Sequence, residues 1–126
     1  MLVVYDSKTG NVKRFVDKLN VRNTKIHNNL LVEEPYVLIT YTTGFGKIPE
    51  TTQEFLKLNK LNLMGVASSG NMNWGSRYSI AAVIIAELYS VPIIHRFELS
   101  GTSKDVEVFK QEVLKLVSTE VDSTQQ

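Results

Sequence analysis

"LVVYDSKTGNVKRFVDKLN" (Leu2 to Asn20) holds the reading on which the fold turns. Leu2 to Tyr5 is apolar and rich in β-branched residues, and Asp6-Ser7 cuts it off; this predicts a short buried strand. Val12, Phe15, Val16 and Leu19 then fall at i, i+3, i+4 and i+7, the stripe of an amphipathic helix that Asn20 ends. Between them stand Ser7, Lys8, Thr9, Gly10 and Asn11. Gly10 lets the chain turn tightly. The hydroxyls and the amide have two readings. Ser7 or Thr9 caps the helix. Alternatively, they join the unpaired N–H groups of its first turn, at the positive end of its dipole, to hold an anion.

The same alternation continues outward. Lys25 to His27 predicts a weak strand, and Pro35 to Tyr41 a strong one. The loop "TTGFGKIP" (Thr42 to Pro49) follows, with Pro49-Glu50 opening a helix to about Leu58. Leu61 to Ala67 reads as a buried strand and "SSGNMNWGS" (Ser68 to Ser76) as a polar loop. Tyr78 to Leu88 is a helix apolar nearly all round, which predicts cover on both faces. Val91 to Phe97 reads as a strand whose Pro92 suits a strand start or an edge. Ser100 to Ser103 leads into a last helix carrying Val106, Phe109, Val113 and Val117 on one face. Residues 1–119 form one domain and 120–126 a polar tail. Buried strands alternating with helices predict an α/β fold: a doubly wound five-stranded parallel sheet, order 2-1-3-4-5. Between the second and third strands only residues 28–34 leave room for a helix.

Composition narrows the function. The 126 residues carry 14 Lys/Arg against 13 Asp/Glu, a net charge of +1, so bulk charge points to neither nucleic acid nor membrane. Absence of cysteine removes disulfides, thiolate metal sites and a cysteine nucleophile, and with the last a phosphotyrosine-type phosphatase. The longest apolar run, Ile80 to Ala86, is far short of the ~18 residues of a membrane span. The start lacks the marks of a signal peptide, so the expected location is cytoplasmic.

In sheets of this order ligands gather at the carboxyl ends of the strands, where strand order reverses. The loops leaving strands one, three and four converge there, and all three are rich in Ser, Thr, Asn and Gly. No P-loop or complete dinucleotide fingerprint competes: "GFGK" has two glycines of the latter and follows the wrong strand. Asp6 stands alone, without the further carboxylates of a receiver domain. His27 and His95 have no partner at metal-ligand spacing and read as surface or strand-end residues, and Glu33-Glu34 as part of a solvated loop. No metal site is expected. Tyr41, Phe45 and Trp74 lie in or beside the later loops, where they suit a flat ring held between loops. Trp74, with Met72 beside it, equally suits a plug over the end of the apolar helix.

"SKTGN" after the first strand resembles the phosphate loop of flavodoxins, and "TYTTGFGKIPE" with "SSGNMNWG" resembles their two flavin loops. The three in order are most similar to the NrdI family, flavodoxin-like proteins associated with ribonucleotide reductase, over nearly the whole chain. The resemblance implies bound FMN and, as partner, the radical-bearing small subunit of class Ib ribonucleotide reductase. In that family reduced FMN reacts with dioxygen, and the oxidant reaches a dimanganese site that forms a tyrosyl radical. A flavodoxin- or NAD(P)H-linked reductase would be the electron source. By motif position Ser7, Lys8, Thr9, Gly10, Asn11 and Val12 would hold the phosphate. Thr42, Thr43, Gly44, Phe45 and Gly46 would border the isoalloxazine on one side, and Ser69, Gly70, Asn71, Met72, Asn73, Trp74 and Gly75 on the other. Gly44 and Phe45 would lie at the flavin N5 edge and tune its chemistry.

Val12 departs from the hydroxyl common at that position in flavodoxins, so a backbone N–H must substitute. The near-neutral charge also departs from the acidic surface of electron-carrying flavodoxins and should make adding electrons to a flavin easier. Two alternatives stand beside this reading: a generic short-chain flavodoxin, and a non-redox module for a phosphorylated ligand.

Overall fold

The computed structural model describes residues 1–44 and 46–124, with residue 76 and residues 119–124 described by backbone alone. Five strands, β1 (Leu2–Tyr5), β2 (Asn23–Lys25), β3 (Tyr36–Tyr41), β4 (Leu63–Gly70) and β5 (Ile93–Glu98), pair in parallel in the order β2-β1-β3-β4-β5. The expected doubly wound sheet is therefore the observed one. Four helices cover it: α1 (Asn11–Leu19), α2 (Glu50–Asn59), α3 (Ile80–Tyr89) and α4 (Ser103–Thr124).

Alternation along each strand sorts side chains between two cores. Val3, Tyr5, Val37 and Ile39 point toward α1 and α4, whereas Leu2, Val4, Tyr36 and Leu38 pack with residues of α2 and α3. The whole α1 stripe, Val12, Phe15, Val16 and Leu19, is buried. Phe15 stacks on Phe97 of β5 at 4.0 Å between centroids and meets Phe109 of α4 edge-on at 5.7 Å. Burial of such a ring is worth roughly 1.5–3 kcal/mol, so Phe15 anchors α1 and with it the loop before it.

Several boundaries differ from the sequence reading. The weak strand lies at Asn23–Lys25, two residues early, where Val3, Val4 and Tyr5 offer partners. No helix forms in residues 28–34. The buried Asn59 side chain holds that connection instead: its Oδ1 accepts from the Val32 N–H at 2.7 Å and its Nδ2 donates to the Leu30 carbonyl at 2.8 Å. One amide thus supplies the pairing that a helix would have supplied internally. β4 starts at Leu63, because Lys60–Asn62 is a 3-10 turn that leaves Leu61 93% exposed. Pro49 precedes the first turn of α2 rather than opening it. α3 is covered on one face only, through Ala81, Ala82 and Ile85, and Leu88 is 67% exposed. The expected tail begins as helix, since the α4 backbone continues through Thr124. Among the described residues no helix is long and apolar enough to cross a membrane.

Candidate functional site

At the carboxyl ends of β1, β3 and β4 the three polar loops enclose a cleft of about 250 Å³. The first loop contributes Ser7, Lys8, Thr9, Asn11 and Val12 to its lining. Gly10 is the N-cap of α1, in the left-handed region at φ 92°, and has no side-chain cap bond. Among the described residues Ser7 Oγ reaches only the Lys13 N–H, at 3.3 Å. Among the described residues Thr9 Oγ1 meets only the Asn11 amide, at 3.5 Å. Both hydroxyls are thus weakly used by the protein itself. The Val12 side chain belongs to the buried stripe, so what it can offer a ligand is its N–H. The first-turn N–H groups of a helix have no partner within it and attract an anion.

The second loop folds on itself. Thr43 N–H donates to the Lys47 carbonyl at 2.8 Å and Lys47 N–H returns to the Thr43 carbonyl at 2.9 Å. Gly44 (φ 51°) and Gly46 (φ 97°) make that turn possible. Thr42, Thr43 and Gly44 line the cleft while Gly46 does not. Phe45 lies outside the described residues. Thr42 Oγ1 also accepts from the Ala81 N–H at 3.2 Å, tying this loop to the start of α3.

The third loop brings Ser69, Gly70, Asn71 and Trp74 to the cleft, and leaves Met72, Asn73 and Gly75 out of its lining. Asn71 Oδ1 accepts from the Asn73 N–H at 2.9 Å, starting the 3-10 segment Met72–Arg77. Trp74 is 48% exposed at the cleft, not a buried plug over α3. Below, Ser68 and Ser79 exchange hydroxyl contacts at 2.6 Å, and the chain at Ser79 comes so close that a Cβ on Gly70 would lie 2.4 Å from its nitrogen.

Reading by sequence missed Arg77, Ser79 and Leu99, which also line the cleft. Leu99 comes from the β5–α4 connection. It sits at φ 51°, where a leucine is uncommon, with its carbonyl accepting from Ser69 Oγ at 2.6 Å and its N–H donating to the Gly70 carbonyl at 2.9 Å. No glycine-rich signal marks it before tertiary pairing is known.

Asp6, at the end of β1, is buried and accepts from the hydroxyls of Thr51 and Thr52, so its carboxylate braces α2 rather than facing the cleft. Tyr41 lines the cleft with its phenol pKa raised, first by burial and then by the Asp6 charge, against a side-chain hydrogen bond with Thr51 that lowers it. His95 has a partner that linear spacing concealed: its Nε2 lies 2.7 Å from Asp105 Oδ1 of α4. Among the described residues no group of three His, Asp or Glu side chains is placed to hold a metal ion.

Among the described residues the lining contains Lys8 and Arg77 and no carboxylate. Hydroxyls, amides, a helix start and cations form a donor set for a phosphate group. Open space lies in front of Gly44 in that lining, where an added Cβ would meet nothing within 4 Å among the described residues. A larger depression of about 1240 Å³ adjoins the cleft across Ser7, Lys8, Tyr41 and Thr43, and unlike the cleft it has carboxylates, Asp6, Glu50 and Glu54, in its lining. The residues present therefore fit a nucleotide with a flat ring.

Sheet order, cleft position and loop chemistry together define a flavodoxin-like protein. Solved structures of the same fold include oxidised Flavodoxin 1 from Bacillus cereus (TM-score 0.67, 17% identity, covering 93% of this chain and 96% of that one). Oxidised Flavodoxin 2 from Bacillus cereus is similar (TM-score 0.69, 18% identity, covering 94% and 97%). The family model described as NrdI Flavodoxin like matches residues 3–111, and the chain belongs to that family. Protein NrdI of Bacillus licheniformis is 55% identical over 117 residues, 92% of this chain and 89% of the relative. Protein NrdI of Macrococcus caseolyticus is 45% identical over 114 residues, 90% and 88% respectively. Membership in a flavodoxin-like family implies a flavin cofactor.

Proposed function

We propose that this protein binds FMN and serves the assembly of the dimanganese–tyrosyl radical cofactor of class Ib ribonucleotide reductase. Its partner is the radical-bearing small subunit of that enzyme, and its electrons come from a flavodoxin- or NAD(P)H-linked reductase. When bound, FMN supplies the redox chemistry, taking electrons from the reductase and furnishing through dioxygen the oxidant that the partner needs. One observation carries most weight: a cleft, free of carboxylates among the described residues, where Ser7, Thr9, Asn11 and the start of α1 converge with the loops after β3 and β4.

In this arrangement Ser7, Thr9 and Asn11 donate to the phosphate with the N–H groups around Gly10 and Val12, and Lys8 adds charge at the rim. Thr42, Thr43 and Gly44 border the ring on one side. Ser69, Gly70, Asn71 and Trp74 border it on the other. Gly44 and Phe45 tune it from the edge. A net charge of +1 supports the specialised partner over a general electron carrier.

The purified protein should be yellow and release one FMN per chain on denaturation. A colourless protein that also fails to bind added FMN removes the proposal. Faster reoxidation by air of the reduced protein, with radical formation in a dimanganese partner, separates the assembly role from plain electron carriage.

A further inference from the structure

The second turn of α1 carries Arg14, which the proposed phosphate contacts do not use. Its Nη2 donates to Asn11 Oδ1 at 2.6 Å, and its Nε donates to Ser100 Oγ at 2.9 Å. Ser100 Oγ in turn donates to the same Asn11 Oδ1 at 2.9 Å. The guanidinium lies over the loop, close enough that a Cβ on Gly10 would sit 2.7 Å from its Nη1. Among the described residues no carboxylate pairs with Arg14.

Two donors converging on Oδ1 decide which way round the Asn11 amide sits. The reversed amide would set its own N–H groups against the guanidinium and leave the Ser100 proton without an acceptor. Asn11 Nδ2 is thereby left for the cleft side, where its one hydrogen-bond contact among the described residues is the 3.5 Å approach to Thr9.

Ser100 is held in place independently. Lys18 Nζ donates to the carbonyls of Ser100 (3.0 Å) and Gly101 (2.8 Å). Gly101 lies at φ 71°, and a Cβ there would come within 2.6 Å of the Phe15 ring, so the β5–α4 connection is pressed onto α1. Ser100 thus belongs to a connection packed onto α1, while the amide that it and Arg14 orient belongs to the cleft.

We infer that Arg14 and Ser100 are positioning residues that aim the Asn11 amide N–H groups at the ligand phosphate, so that they set the preference for FMN over riboflavin. This rests on the FMN reading above. A fork of two donors at fixed angles is required; a point charge cannot replace it.

Affinities for FMN and riboflavin, from quenching of flavin fluorescence in the apoprotein, test the inference. Arg14→Met should weaken FMN about 10- to 100-fold, the equivalent of losing one well-aimed charged hydrogen bond, and riboflavin less than about threefold on the same scale. Arg14→Lys should lose nearly as much FMN affinity as Arg14→Met. In an Asn11→Ala background Arg14→Met should have little further effect. Asn11→Asp should keep or strengthen the link to Arg14, leaving thermal unfolding of the apoprotein unimpaired, while FMN binding is lost. Equal losses for FMN and riboflavin, or full recovery with Arg14→Lys, would overturn the positioning role while leaving FMN binding intact. If wild type binds neither flavin, the FMN reading itself falls.

Discussion

The loops after β1 and β4 look alike as strings, both polar and punctuated by glycine, yet they spend their polar groups differently. In the loop after β1 the Ser7 and Thr9 hydroxyls have, among the described residues, only long contacts, at 3.3 and 3.5 Å. In the loop after β4 the groups are consumed internally. Ser69 Oγ is committed to the Leu99 carbonyl, Asn71 Oδ1 to the Asn73 N–H, and the Met72 N–H to Glu98 Oε2 at 3.0 Å. The first is a set of donors awaiting an acceptor; the second is a frame. Composition cannot separate the two, because separation depends on which partners the sheet brings within 3 Å.

The largest effect that follows is at Gly70. A Cβ there meets the Ser79 backbone nitrogen at 2.4 Å and its Cα at 2.7 Å, atoms that cannot step aside as a flexible side chain would. Gly70→Ala should therefore cost about 1–3 kcal/mol or more in urea unfolding and abolish flavin binding. An unchanged midpoint would mean that the frame is soft and the contrast between the loops is wrong.

The donor loop should respond in ligand affinity rather than stability. Thr9→Val should weaken FMN roughly 10- to 150-fold through one lost charged hydrogen bond, leave riboflavin nearly unaffected, and barely move the melting temperature. Ser69→Ala should do the reverse, costing about 1 kcal/mol of stability and weakening both flavins alike. If both variants discriminate FMN from riboflavin equally, the two loops do the same job.

Gly44→Ala sharpens the picture further. Its Cβ would meet nothing within 4 Å among the described residues, so the positive φ of 51° is what opposes it, a cost of about 1–2 kcal/mol. FMN should still bind, with a shifted spacing between its two reduction potentials as the readout.

The smallest effect concerns the β5–α4 connection that supports both loops. Asp105 feels burial, which alone would raise its pKa. The hydrogen bonds from His95 and from the Thr102 N–H and hydroxyl outweigh it and hold the pKa below the ordinary 3.8. A depressed carboxylate pKa stabilises the fold above its unfolded value, and that contribution is lost as pH falls through the folded value. The stability gap between wild type and Asp105→Asn should thus be full at pH 7 and close on acidification below about 3.8. Urea midpoints across that range measure it, and a gap that stays constant would exclude the linkage.

Much was determined by sequence alone. The i, i+3, i+4, i+7 stripe of α1, the β-branched run of β3 and the alternation of strands with helices were sufficient for the sheet order, because burial periodicity is a local property. The three cleft-forming loops were legible for the same reason, since strand ends locate them. Short β2 was misplaced by two residues because three residues carry too little pattern, and its place is set by pairing with β1. The connection without a helix depends on Asn59, some thirty residues away. So too Leu99, the His95–Asp105 pair and the contacts of Arg14 and Ser100 with Asn11 were decided only by the tertiary structure. Ser100 lies 86 and 89 residues from Arg14 and Asn11, and Leu99 30 from Ser69, and a hydrogen bond of 3 Å leaves no trace in sequence spacing at such separations.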